Sequence, residues 1–100
     1  MVMIRSFRDA GTEDIFNGAD TKRARKTCPP VLWKVARRKL ELLDSAGQLN
    51  DLRRPLANQL EALKRERAGQ HSIRVNNQYR VCFVWTELGP ADVEIVDYHG

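Results

Sequence analysis

The hydrophobic pattern changes its period once along the chain, and that change constrains the fold more than any other feature. Between Val31 and Ala46 the apolar residues Leu32, Val35, Ala36, Leu40, Leu43 and Ala46 recur at helical spacing, and Lys34, Arg37, Arg38, Glu41 and Asp44 fill the opposite face. Pro29 and Pro30 suit a helix start and Gly47 a helix stop. Beyond Pro55 the period falls to two. Ile73 and Val75 alternate with Ser72 and Arg74, and Tyr79, Val81, Phe83 and Trp85 alternate with Arg80, Cys82, Val84 and Thr86. Asn76 and Asn77 between the two runs predict a hairpin, since asparagine tolerates the positive φ of tight turns.

The remaining segments complete the order. Met3 to Phe7 is expected as a first strand, and Thr12 is expected to cap a short helix that Gly18 closes. A second turn is expected over Leu88 to Ala91, then a last strand from Val93 to Tyr98. Strand, two helices and an antiparallel meander predict an α+β fold with an N-terminal strand and two helices packed on one face of a mainly antiparallel β-sheet. A chain of 100 residues, 42% hydrophobic, has room for one core, so residues 1–100 are expected to form a single domain. Cys28 and Cys82 lie far apart with no CxxC pattern and read as ordinary small side chains, not as a disulfide or zinc framework. No apolar run approaches the ~20 residues of a membrane span, and the opening lacks a signal-peptide core, so a cytoplasmic chain with no membrane contact is expected.

The formal net charge of +4 is unevenly spread. Residues 21–67 carry 13 basic and five acidic side chains, whereas residues 1–20 and 68–100 each carry two basic and four acidic ones. Such a cationic centre favours polyanions and makes their binding salt-dependent, although a solvated helix face has the same composition. Among chemistry-bearing patterns there is no phosphate-binding glycine loop, HExxH, GxSxG or Ser/His/Asp spacing. The dense ending Asp97, Tyr98, His99 is what remains. A carboxylate beside an imidazole prepares it for acid or base work near neutral pH, though a solvated terminal histidine reads the same way. His71 reads as a surface strand residue and Trp85 as core, while Trp33, beside the basic helix face, is better placed for a partner. Arg80 is either solvated or directed into a site from mid-sheet.

Taken together, MIRSF, RRKLELLDSA, NQLEALKRERAGQHSIRVNNQYRVCFVW and PADVEIVDYH resemble the HigB branch of the RelE/ParE toxin superfamily over nearly the whole chain, with Met3 matching the family's usual beginning. That resemblance implies the compact RelE-like fold and the toxin of a type II toxin-antitoxin system: a ribosome-dependent mRNA endonuclease that needs no metal and no cofactor. In such enzymes a 2′-OH attacks the adjacent phosphorus, so a proton is taken, a phosphorane stabilised and a proton given to the leaving oxygen. Carried onto this sequence, His99 is the acid or base, Asp97 its orienter, Tyr98 a stacking or donating group, and Arg80 the guanidinium facing the scissile phosphate. Lys64 and Arg67 would hold the RNA backbone, and Arg37 and Arg38 would contact ribosomal RNA.

One departure stands out. Where some relatives carry a histidine in an LHPLK segment, this chain has Leu60, Glu61, Ala62, Leu63, Lys64, which places Glu61 in an uncertain catalytic role. The implied partners are a helix-turn-helix antitoxin of the HigA kind, the 70S ribosome with its 30S RNA and bound mRNA, and operator DNA only through the antitoxin. Two rival readings are a gyrase-poisoning toxin of the ParE kind, against which the DYH ending speaks, and a non-catalytic nucleic-acid-binding module.

Overall fold

A computed structural model describes residues 3–98. Three helices, α1 (Ala10–Asn17), α2 (Lys22–Thr27) and α3 (Trp33–Ser45), precede four strands, β1 (Glu61–Ala62), β2 (His71–Arg74), β3 (Tyr79–Thr86) and β4 (Gly89–Asp97). The strands form one antiparallel sheet in the order β1-β2-β3-β4. This is the α+β class, with the helices packed on one sheet face. No helix among the described residues is long and apolar enough to cross a membrane.

Asp9, not Thr12, caps α1: its carboxylate accepts from the Thr12 N–H at 2.9 Å and from the Thr12 hydroxyl at 2.7 Å. Thr12 is buried inside the first turn, where its Oγ1 accepts from the Ile95 N–H at 3.0 Å and ties α1 to β4. Gly18 does close α1, at φ 76°. The basic run after it, to which the hydrophobic pattern assigned no element, forms α2 because Thr21 accepts from the Ala24 N–H at 3.1 Å. Asp14 joins the two helices by accepting from Thr21 at 2.6 Å and from Arg23 at 2.5 Å. The Arg23 bond, and then the Thr21 bond, hold the Asp14 carboxyl below its ordinary pKa.

A 3-10 turn at Pro30–Leu32 leads into α3, whose Ala36, Leu40 and Leu43 are wholly buried. The helix stops with Ala46 in extended conformation. Gly47 does not take the left-handed region there, and its N–H donates to Asp51 at 2.9 Å.

The meander β2-β3-β4 has the expected order, but the edge strand β1, Glu61–Ala62, was not expected, and three further differences appear. Asn76 and Asn77 keep negative φ, and Asn76 makes the turn through its side chain, accepting from the N–H groups of Gln78 and Tyr79 at 2.9 and 2.7 Å. The strand β4 starts at Gly89, so its turn lies over Thr86 to Gly89, where the Thr86 hydroxyl donates to the Gly89 carbonyl at 2.6 Å. The segment expected as a first strand is reduced to a single parallel bridge between Phe7 and Val93, flanked by hydrogen bonds from Arg5 to Pro90 and Arg8 to Val93. Pro90 has no N–H to offer and Asp92 sits at φ 51°, so a regular ladder cannot continue along that edge.

Alternation along the strands divides the residues between two sides. Ile73, Val81, Phe83 and Val93 are fully buried and join Ile15, Leu40 and Leu43 in the core under the helices. Ser72, Arg80 and Cys82 point the other way and are also buried, beneath the loop that connects α3 to β2. The close approach of α1 and α2 depends on Gly11. A Cβ there would clash with the Thr27 side chain and lie 2.6 Å from the Arg23 carbonyl oxygen. Gly11→Ala is therefore expected to lower stability by about 1–3 kcal/mol, the usual cost of overpacking. A urea midpoint equal to that of the unaltered chain would refute this contact.

Candidate active site

The site is built around Arg80, whose guanidinium is drawn beneath the loop instead of into solvent. Its Nε donates to the Ser72 hydroxyl across the β2–β3 pair at 2.7 Å, and Nη2 donates to the Gln59 carbonyl at 2.6 Å. Nη1 makes no hydrogen bond among the described residues. The Tyr98 ring, 42% exposed, lies over the guanidinium with its centroid 5.9 Å from the central carbon. The Gln78 carbonyl holds Tyr98 there by accepting from its N–H at 2.7 Å.

Gln59 presents its carbonyl from a left-handed turn, φ 46°, that the neighbouring residue keeps in place. Asn58 is fully buried, donating to the carbonyls of Leu52 and Arg54 at 3.2 and 3.3 Å and accepting from the Lys39 ammonium at 2.6 Å. Burial, followed by the charges of Arg38 and Arg74, lowers the Lys39 pKa. A chain of contacts thus runs from α3 to the site through Lys39, Asn58 and Gln59.

The other expected residues divide into three groups. Arg67 belongs to the Arg80 side of the sheet: its Nη1 donates to Glu94 at 2.8 Å and to Gln70 at 3.1 Å, and its charge is felt at Tyr98. The Glu94 hydrogen bond raises the Arg67 pKa. Glu94 also receives Arg8 at 3.7 Å. Lys64 is exposed at the entry to the 3-10 turn Arg65–Arg67, and Glu61 heads the cross-strand row Glu61, Ser72, Cys82, Glu94. Burial pushes the Cys82 thiol up to about 11, so it stays protonated and unreactive at neutral pH.

Asp97 is not beside Arg80. It pairs with Tyr79, and alternation puts its carboxylate on the helix side of the sheet, where it accepts from the Gln78 amide at 3.0 Å. The three-residue ending is therefore split, with Tyr98 over Arg80 and Asp97 across the sheet from it; His99 lies outside the described residues. Arg37 and Arg38 are elsewhere again. They line a cavity of about 450 Å³ between α1 and α3, together with Ile15, Trp33, Lys34 and Glu41, and the Arg37 guanidinium lies against Gly18. Trp33 is half-buried there, its indole N–H given to the Cys28 carbonyl at 2.8 Å.

Sequence reasoning did not find Ser72, Gln59, Asn58, Gln78 or Glu94. Only for Ser72 and Glu94 was there a signal, because strand register places them beside Arg80 and Cys82. Among the described residues no three His, Cys, Asp or Glu side chains come together in a way that could hold a metal ion. What the Arg80 surface offers is a fixed guanidinium, an aromatic face and the cation Arg67 on the same side of the sheet, which together suit a phosphate with a planar group attached.

Comparison with known proteins gives the family of the chain. A family model described as the RelE-like toxin of type II toxin-antitoxin system HigB matches residues 5–99. The chain is 40% identical to Toxin HigB-1 of Vibrio cholerae over 85 residues, 85% of this chain and 86% of that protein. It is 39% identical over 77 residues to an uncharacterized protein of Haemophilus influenzae, covering 77% of this chain and 73% of that one.

Asn58→Ala takes the partner from the Leu52 and Arg54 carbonyls beneath the loop and from the half-buried Lys39 ammonium. Stability to urea is expected to fall by about 2–3 kcal/mol, the cost of leaving such groups unpaired. An unchanged unfolding curve would show that Asn58 does not hold the loop.

Proposed function

The chain belongs to the HigB-like family, the RelE-like toxins of type II toxin-antitoxin systems, and from that premise we propose that it is a ribosome-dependent mRNA endonuclease. Membership itself implies an antitoxin partner. The observation that carries the nuclease reading is the pair formed by Arg80 and Tyr98. A guanidinium immobilised before substrate arrives needs little reorganisation to stabilise the extra charge of a phosphorane, and the exposed tyrosine ring beside it offers a base a stacking surface.

In the proposed reaction the 2′-oxygen loses its proton to a base and bonds to the adjacent phosphorus, and the 5′-oxygen leaves with a proton supplied by an acid. His99 serves as the acid or base, for it is the imidazole that follows Tyr98 in the chain. Asp97, turned to the other sheet face, is left an orienting role and does not touch the phosphate. Lys64 and Arg67 hold neighbouring phosphates, Arg67 being aimed by Glu94. Glu61, exposed on the same sheet side, makes a smaller contribution. No step requires a metal or cofactor. Arg37 and Arg38 face away from this site and serve instead as the contact with ribosomal RNA, which makes docking salt-dependent. The antitoxin is proposed to be a helix-turn-helix protein of the HigA kind, through which alone operator DNA is bound, and the site of action is the cytoplasm.

The purified chain is to be added to an mRNA with and without translating ribosomes and the cut ends mapped. Cleavage is expected only on ribosomes, falling at least ~100-fold in His99→Ala, the lower end for removing a general acid or base, and less than ~10-fold in Glu61→Ala. A fully active His99→Ala protein removes the mechanism, and a folded, growth-inhibiting chain that cuts nothing removes the nuclease reading. Separately, the double charge reversal of Arg37 and Arg38 to Glu is expected to reduce co-sedimentation with 30S subunits, most visibly at low salt. Undiminished co-sedimentation would exclude that surface from docking.

A further inference from the structure

The cavity of about 450 Å³ between α1 and α3 takes no part in the proposed chemistry, yet it is built like a site. Its volume lies within the roughly 300–1,000 Å³ that proteins use to hold small ligands. The floor is small and apolar. Ile15 is buried there, and α1 ends at Gly18 and Ala19, where the Ala19 N–H fixes the chain by donating to the Asp14 carbonyl at 2.8 Å. Trp33 gives its indole N–H to the Cys28 carbonyl, so what it adds to the cavity is a held, apolar ring with no free donor.

The rim is charged. The side chains of Lys34, Arg37, Arg38 and Glu41 are exposed along α3, and among the described residues they form no ion pair with one another or with any other group. Trp33, Arg37 and Glu41 are spaced four apart and make one row on the helix, with Lys34 and Arg38 as a second row beside it. Arg37 is lodged in place by α1. Its central carbon and both terminal nitrogens lie 3.2–3.3 Å from where a Cβ on Gly18 would stand, so the guanidinium lies flat over the glycine.

An amphipathic peptide helix needs apolar anchors at successive turns, and this cavity has a floor for one. An isolated phosphate would use the cations, leave the ring and the floor unused, and meet the Glu41 carboxylate. A nucleotide uses every part: a flat apolar surface, planar cations, an acceptor for an N–H edge and a cation row for the phosphate. We propose that the cavity receives one unstacked nucleotide of the ribosomal RNA, its base against Trp33 and Arg37 above Ile15, Gly18 and Ala19, its N–H edge donating to Glu41, and its phosphate at Lys34 and Arg38. The inference rests on the ribosome-docking reading. It adds that docking depends on the shape of this cavity and not on charge alone.

The test is co-sedimentation of the full chain with 30S subunits over a series of salt concentrations. Ala19→Phe fills the half-exposed floor and leaves every charge in place. It is expected to weaken binding about tenfold, the order of one lost base stack, with the salt slope unchanged. Glu41→Gln separates the two accounts by sign. A surface acting by its field alone binds RNA more tightly once a carboxylate is removed, whereas a carboxylate that accepts from a base weakens binding when it is lost, here by about fivefold. Urea unfolding reports whether each variant folds, and Glu41→Gln, at an exposed position, suffices if Ala19→Phe does not. Unchanged or tighter binding in Glu41→Gln, or undiminished binding in a folded Ala19→Phe chain, overturns the nucleotide site. Docking by charge then survives if reversal of Arg37 and Arg38 still lowers co-sedimentation, and falls as well if it does not. A folded Ala19→Phe chain that keeps its 30S binding and loses its antitoxin assigns the cavity to a peptide and overturns the proposal.

Discussion

Everything at the Arg80 surface depends on β3 being covered on both faces. Tyr79 to Phe83 are buried without a break, so alternation does not separate a wet side from a dry one; it separates an apolar cover made by helices from a polar cover made by a loop. A guanidinium under such a loop is tolerated only if its donors are used, because a buried ion without partners is strongly destabilising. Ser72 and Gln59 meet that need. The requirement propagates outward: Gln59 must stay in a left-handed turn, Asn58 must hold that turn, and Lys39 must reach from α3 to hold Asn58. The stability of the loop and the aim of Arg80 are thus one arrangement, and Lys in place of Arg80 could not reproduce it, since a single ammonium lacks the fork that reaches a hydroxyl and a carbonyl together.

The parts that were legible in the sequence are those where one local period dominates. The stripe from Leu32 to Ala46 places α3 within two residues, and the alternation from Tyr79 to Trp85 places β3 with both its faces. What was hidden depends on partners distant in the chain. Thr12 has the chemistry of a cap, yet Asp9 takes that position because Thr12 is needed at Ile95, 83 residues away. The run KRARK carries no apolar stripe, and its helix exists because Thr21 and Asp14 close its start. Pro90 and Asp92 shorten the expected first strand from the opposite side of the ladder.

The candidate site divides in the same way. Arg80, Tyr98, Lys64 and Arg67 were singled out by the family resemblance and not by residue types and spacing, which left Arg80 open between solvent and a site, and alternation alone is enough to separate Asp97 from Arg80 and Tyr98. Asn58 and Gln59 were not accessible, for nothing in ANQLEAL announces that one side chain is buried and the next carbonyl faces an arginine 21 positions later. Glu94 looked like a polar strand position. Its value lies in standing across from Cys82, within reach of Arg67.

The separation of the two basic surfaces has a physical consequence for how a toxin of this kind can act. Arg37 and Arg38 carry their charge on the helix side, where Lys34 adds to it and no described carboxylate forms an ion pair with any of the three, so their field is open to solvent and reaches roughly a Debye length at physiological salt. Arg67 and Arg80 have their charge partly spent on Glu94, Ser72 and Gln59, and are short-range groups that act on what already touches them. A long-range surface that attracts a polyanion and a short-range surface that discriminates within it are suited to different tasks, and because they lie on opposite faces of one sheet neither weakens the other. An inhibitor that occupied either surface would therefore stop the proposed reaction by a different route: at the helix side by preventing encounter, at the Arg80 side by excluding the phosphate.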